Sequence, residues 1–82
     1  MRAIRVRLFA AARAAAGTGE ATVEVADDAT TDDVLAAVVS GNPGLAEVIG
    51  RCSFLDDGVA VNDRLRPLAG TQLDVLPPFA GG

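Results

Sequence analysis

From Arg2 to Phe9 the chain alternates: Ile4, Val6 and Leu8 stand between Arg5 and Arg7, the two-residue period of a strand with one apolar and one cationic face. Ala10 to Ala16 is a run of good helix formers that Gly17 can close. Ala21, Val23 and Val25 then alternate with Thr22 and Glu24 as a second strand, near enough in sequence to pair antiparallel with the first. Past the Asp27-Asp28 turn lies the best helical pattern. Thr30 or Thr31 caps it, Asp32 and Asp33 sit favourably against the dipole in its first turn, and Val34, Leu35, Val38 and Val39 form one apolar stripe. Gly41-Asn42-Pro43-Gly44 ends this helix, and Leu45 to Gly50 adds a further turn packed through Leu45, Val48 and Ile49. Two short strands, near Phe54-Leu55 and over Val59 to Asn62, flank the turn residues Asp56-Asp57-Gly58. Leu65 and Leu68 are expected to pin a loop to the core, and Gln72 to Leu76 forms the last strand before proline stops it.

This order reads as α+β: a mixed sheet of four to five strands packed on one main helix, with the last strand beside the first in the sheet's centre. The pattern divides the chain into one domain over residues 1–76 and an extended tail over 77–82. At 82 residues it buries only about 60% of its unfolded surface, but with half of its residues hydrophobic it can fill one small core.

Charge and missing residue types narrow the function. Seven arginines face eleven acidic residues, and this net charge of -4 argues against nucleic acid, whose phosphates call for a cationic surplus. The charge is also unevenly spread: residues 1–19 carry only arginines, whereas residues 20–50 carry only acids. No stretch approaches the roughly 18 apolar residues of a membrane span, and the first residues lack the apolar segment of a signal peptide, so the expected location is the cytoplasm. The chain has no His, Lys, Tyr or Trp, which removes most self-contained general-base sites. Cys52 has no second Cys for a disulfide and no His or Cys to share a metal, and it is read as a buried structural thiol.

The most informative stretch is the ending Pro77-Pro78-Phe79-Ala80-Gly81-Gly82. Two glycines leave the final carbonyl unshielded and fit a slot too narrow for other residues. Together with Leu8-Phe9-Ala10-Ala11-Ala12-Arg13 followed by Gly17, the threonine-capped helix, Val59-Ala60-Val61-Asn62, and Leu68 with Gly70, this ending resembles MoaD, the small subunit of molybdopterin synthase. The resemblance covers essentially the whole chain. Its most specific part is Pro-Pro-x-x-Gly-Gly, because the related thiamin sulfur carrier usually lacks the paired prolines. Gly70-Thr71-Gln72 departs from the family pattern, in which an acidic pair commonly follows the glycine.

The resemblance implies a ubiquitin-like β-grasp fold and a sulfur carrier that is no enzyme by itself. An E1-like enzyme using ATP would adenylate the Gly82 carboxylate, and a sulfur donor such as a cysteine desulfurase or rhodanese-like protein would convert it to a thiocarboxylate. The tail would then enter the large synthase subunit and pass its sulfur to cyclic pyranopterin monophosphate, two deliveries making the dithiolene of molybdopterin. The chain itself would bind no cofactor and no metal. Alternatives are a carrier for thiamin or cysteine synthesis, a ubiquitin-like protein tag, and a β-grasp interaction module without chemistry.

Physical roles follow for the tail. Pro77 and Pro78 either stiffen an extended exit or simply end the strand. Phe79 is read as a hydrophobic anchor at a partner's cleft, with a ring folded back on its own sheet as the alternative. The four residues from Phe79 through Ala80 and Gly81 to Gly82 reach roughly 13 Å when extended. Arg5 and Arg7, facing away from the helix, either dock on an acidic patch of a partner or only solvate the open face.

Overall fold

The computed structural model describes residues 1–78. Nine elements follow in order: β1 (Arg2–Leu8), α1 (Ala10–Ala16), β2 (Glu20–Val25), α2 (Thr31–Gly41), a 3-10 turn (Pro43–Leu45), α3 (Ala46–Ile49), β3 (Ser53–Asp56), β4 (Val59–Ala60) and β5 (Gln72–Leu76). The strands form one mixed sheet in the order β2-β1-β5-β3-β4. β1 pairs antiparallel with β2 and parallel with β5, which lies in the middle, as the alternating patterns suggested.

The alternation in β1 decides the layering. Ile4, Val6 and Leu8 are buried on one face, joined there by Leu73 and Val75 of β5 and Phe54 of β3. Val34, Leu35 and Val38 of α2 meet them, and Ala12 of α1 and Leu45 of the 3-10 turn belong to the same core. Val39 packs against that core only partly, at the edge of the stripe. α2 begins at a reciprocal cap: Thr30 Oγ1 accepts from the Asp33 amide at 3.1 Å while the Asp33 carboxylate accepts from the Thr30 amide at 3.0 Å. It ends at Asn42, whose side-chain amide and backbone N–H both donate to the Val38 carbonyl. Gly44 packs so closely on α1 that a Cβ there would stand 2.7 Å from the Ala15 carbonyl oxygen.

Two expectations need correction. Leu65 does not pin its loop: it is 72% exposed, whereas Leu68 is buried. Polar contacts hold the loop instead, with the Asp63 carboxylate accepting from the Leu65 amide and Arg64 paired with Asp32 at 2.6 Å. The fourth strand is also shorter than the expected Val59 to Asn62, ending at Ala60, after which the Val61 amide still donates to Phe54 but Asn62 is already in the turn.

Beyond the loop, Asp56 and Asp57 organise the entry to β5. The Asp56 carboxylate accepts from the Ala69 and Gly70 amides, both at 2.8 Å, and Asp57 accepts from the Gln72 amide at 3.1 Å. Arg2 clasps the other side, donating to the Leu68 and Gly70 carbonyls.

Candidate functional site

The sheet register carries β5 to the edge of the core and releases the chain at Pro77. Leu76 is the last paired residue, opposite Ser53, and Val75 is held from both sides: it pairs with Phe54, and its carbonyl accepts from the Phe9 amide. Proline has no amide hydrogen to continue the ladder, so the strand ends where Pro77-Pro78 begins. The base of the tail is thus anchored in the sheet's central strand. Pro77 and Pro78 line a cavity of about 280 Å³ with Ala11, Val48 and Arg51. Phe79, Ala80, Gly81 and Gly82 lie outside the described residues.

On the open face of the sheet the two arginines proposed as docking residues have different surroundings. Arg7 stands opposite Asp74 in the parallel β1/β5 register and forms a two-pronged ion pair with it, Nε to Oδ1 at 2.8 Å and Nη2 to Oδ2 at 3.0 Å. Its guanidinium also lies 5.3 Å from the centre of the Phe9 ring. The hydrogen bond that Arg7 donates to Asp74, and then that carboxylate's charge, raise the Arg7 pKa above its ordinary value. Asp74 is 6% exposed, a charge on the solvent side of the sheet that Arg7 covers. Arg5, by contrast, makes only a loose contact with Glu20 at 3.8 Å and borders a hollow with Ala3, Thr22 and Gln72.

Arg7 is therefore committed to its own sheet, and Arg5 is the more available of the two for a partner. Arg7→Ala strands Asp74 without its cation and is expected to lower the urea midpoint clearly, whereas Arg5→Ala is expected to stay within about 0.5 kcal/mol of the parent. Equal midpoints for the two variants would contradict this division. Sequence reading missed Asp74, although the outward parity of Arg7 in β1 and of Asp74 in β5 signals the pair once the strands are placed side by side. It missed Phe9 as well, which is 37% exposed between the sheet and α1.

Cys52 is half-buried rather than buried, packed against the core with its thiol donating to the Val48 carbonyl at 3.3 Å. Burial raises its pKa above the ordinary value of 9.0, and Arg51 opposes this only in part. The thiol form dominates at neutral pH, a poor state for a nucleophile. Because the folded state holds this proton more tightly than the unfolded one, the stability it contributes is complete below about pH 9 and declines as pH rises through the folded pKa. Cys52→Ala is expected to remove that alkaline component from a stability-versus-pH curve, and an identical curve would refute the assignment.

Among the described residues there is no group of three or more His, Cys, Asp and Glu side chains able to hold a metal ion, and no helix is long and apolar enough to cross a membrane.

Residues 6–82 match the model of the ThiS family. The chain belongs to that family. The molybdopterin synthase sulfur carrier subunit of Chlamydomonas reinhardtii is 35% identical to it over 81 residues, covering 96% of this chain and 98% of that protein. A crystal structure of small archaeal modifier protein 1 from Haloferax volcanii superposes with a TM-score of 0.83 at 30% identity, over 96% of this chain and 100% of the other. A chain from the complex of subunits 1 and 2 of the molybdopterin-converting factor of Helicobacter pylori gives a TM-score of 0.69 at 23% identity, over 99% of this chain and 100% of that one. This last likeness bears on the fold. The ubiquitin-like β-grasp architecture that the resemblance implied, consistent with the order of elements, is the one these relatives share.

Proposed function

We propose that the protein is the sulfur carrier subunit of a molybdopterin synthase. The observation that carries this reading is the near full-length similarity to a molybdopterin synthase sulfur carrier subunit in a chain whose sequence closes Pro77-Pro78-Phe79-Ala80-Gly81-Gly82. A carboxylate resists nucleophiles because its oxygen is a poor leaving group. Sulfur can reach Gly82 only after activation, in which an E1-like partner joins the carboxylate to AMP from ATP and releases pyrophosphate. A sulfur donor then displaces AMP and leaves a thiocarboxylate, whose sulfur is both nucleophilic and transferable.

The chain's own contribution is mechanical. β5, held on both sides, fixes the tail's base, and the prolines restrict its direction, so little freedom is lost when the last residues enter a partner's cleft. The large synthase subunit receives the tail, and the carrier leaves as an ordinary carboxylate after each transfer to cyclic pyranopterin monophosphate. Presenting the loaded chain to a large subunit and that precursor is the test: two carriers are expected to lose sulfur for each dithiolene formed. Sulfur retained on the chain under those conditions would exclude this substrate and favour a carrier for thiamin or cysteine synthesis.

A second reading is supported by the likeness to small archaeal modifier protein 1 at 30% identity. There the activated glycine would be joined to amines of other proteins. Amide-linked adducts formed with the activating enzyme and ATP, in the presence of a sulfur donor, would favour it.

A further inference from the structure

β4 is the outermost strand of the sheet, and its far side pairs with no strand among the described residues. In the antiparallel β3/β4 register Ala60 stands opposite Leu55, and the Val61 amide donates to the Phe54 carbonyl at 3.0 Å. Hydrogen-bonding groups alternate along a strand, so those of Val59 and Val61 turn toward β3 whereas the N–H and C=O of Ala60 face outward. Ala60 is exposed, and so is the side chain of Val59 next to it.

A cavity of about 460 Å³ lies beside this edge, and Thr31, Val59, Asn62, Arg66 and Pro67 are among the residues that line it. Thr31, the first residue of α2, is 2% exposed, and its hydroxyl has no hydrogen-bond partner among the described residues, whereas the Thr30 hydroxyl is spent on the Asp33 amide. Two carboxylates also border the cavity, but both are engaged: Asp56 accepts from the Ala69 and Gly70 amides, and Asp63 accepts from the Leu65 amide. Arg66 is exposed and, unlike Arg64 with its Asp32, has no carboxylate partner among the described residues. The groups left for a ligand are therefore donors, namely the Thr31 hydroxyl, the Asn62 amide and the Arg66 guanidinium. A carboxylate on a short aliphatic stem matches them, its oxygens taking the charge-assisted bonds and its stem lying against Val59 and Pro67.

We propose that the β4 edge and this cavity together bind an extended segment of a partner protein, its backbone pairing with Ala60 and one glutamate side chain entering the cavity toward Thr31 and Arg66. A peptide fits better than a free carboxylate because the outward N–H and C=O of Ala60 call for another backbone. β3 separates this edge from β5, so the contact is distinct from the root of the tail and does not depend on the chemistry proposed for Gly82.

The test pans a display library of random peptides on the full chain. Selected peptides are expected to share a glutamate flanked by residues of high strand propensity and to slow hydrogen exchange of the Ala60 amide at least about tenfold. Replacing that glutamate by glutamine, or using the Arg66→Gln or Thr31→Val variant, is expected to weaken binding at least about tenfold. Arg66 is exposed, so Arg66→Gln keeps the test decisive if Thr31→Val does not fold. A library that yields no glutamate-bearing binder, binders that leave Ala60 exchange unchanged, or affinity indifferent to Arg66→Gln would overturn the proposal. So would glutarate binding as tightly as the selected peptides, since edge pairing would then contribute nothing. A chain that never acquires sulfur at Gly82 would remove the functional reading and leave these outcomes untouched.

Discussion

Removing Gly82 is expected to abolish molybdopterin formation in a reconstituted synthase while leaving the folded domain within about 0.5 kcal/mol of its original stability. The separation of the two effects is what makes the result informative. β5 is fixed by backbone pairs through Leu76, and the core residues nearest the tail, Leu73 and Val75, are fully buried in the same cluster as Ile4, Val6 and Phe54. A chain ending at Gly81 offers an activating enzyme a carboxylate one residue short, about 3.5 Å from where the reacting carbon must lie. Misplacement by even 1 Å can cost a hundredfold in rate, so activity is expected to fall to the level seen without carrier. Dithiolene formation by the shortened chain, or a matching loss of stability, would count against a tail whose role is chemical.

The second large effect concerns Gly70. A Cβ at this position would stand 2.1 Å from Oδ2 and 2.3 Å from Cγ of Asp57, and 2.8 Å from Oδ1 of Asp56. Neither carboxylate is free to swing away, since Asp56 holds the Ala69 and Gly70 amides and Asp57 holds the Gln72 amide. Gly70→Ala is therefore expected to cost about 2 kcal/mol, read as a lower urea midpoint with an unchanged slope. Asp57 itself has a positive φ of 46°, a conformation that suits glycine. Asp57→Gly in the Gly70→Ala background should accordingly be less harmful than the sum of the two single changes. Strict additivity would mean that the carboxylate is not the obstacle.

Much of this architecture was legible in the pattern of side chains. The alternation of Ile4, Val6 and Leu8 with Arg5 and Arg7 fixed the inner face of β1, and a threonine at 30 or 31 followed by Asp32 and Asp33 marked the start of α2, where the structure singles out Thr30 and Asp33 as the reciprocal pair. What escaped was set by contacts across the sheet. Gly70 reads as an ordinary turn glycine until the Asp56-Asp57 turn is brought against it, 13 residues away in sequence. Arg7 reads as a free surface cation until the parallel pairing of β1 with β5 places Asp74 opposite. Leu65 looked like a core residue by type, but its loop is pinned by carboxylates and arginines that a hydrophobic pattern does not register.

The same distinction applies to the candidate site. The expectation of chemistry at Gly82 came from the bare glycines of the ending and its resemblance to MoaD, whereas the pairing that anchors the tail's base, Ser53 with Leu76 and Phe54 with Val75, emerged only from the sheet. Arg51 gave no sign of its position beside Pro77 and Pro78, since 25 residues separate it from the nearer proline.

The account depends most on the fate of the Gly82 carboxylate, and the intact mass of the chain tests it directly after co-expression with an E1-like enzyme and a sulfur donor. The expected product has one oxygen replaced by sulfur, localised to Gly82 by fragmentation. A mass that stays that of the free acid although the activating enzyme consumes ATP, or a chain recovered only as amide adducts on other proteins, would contradict a sulfur carrier.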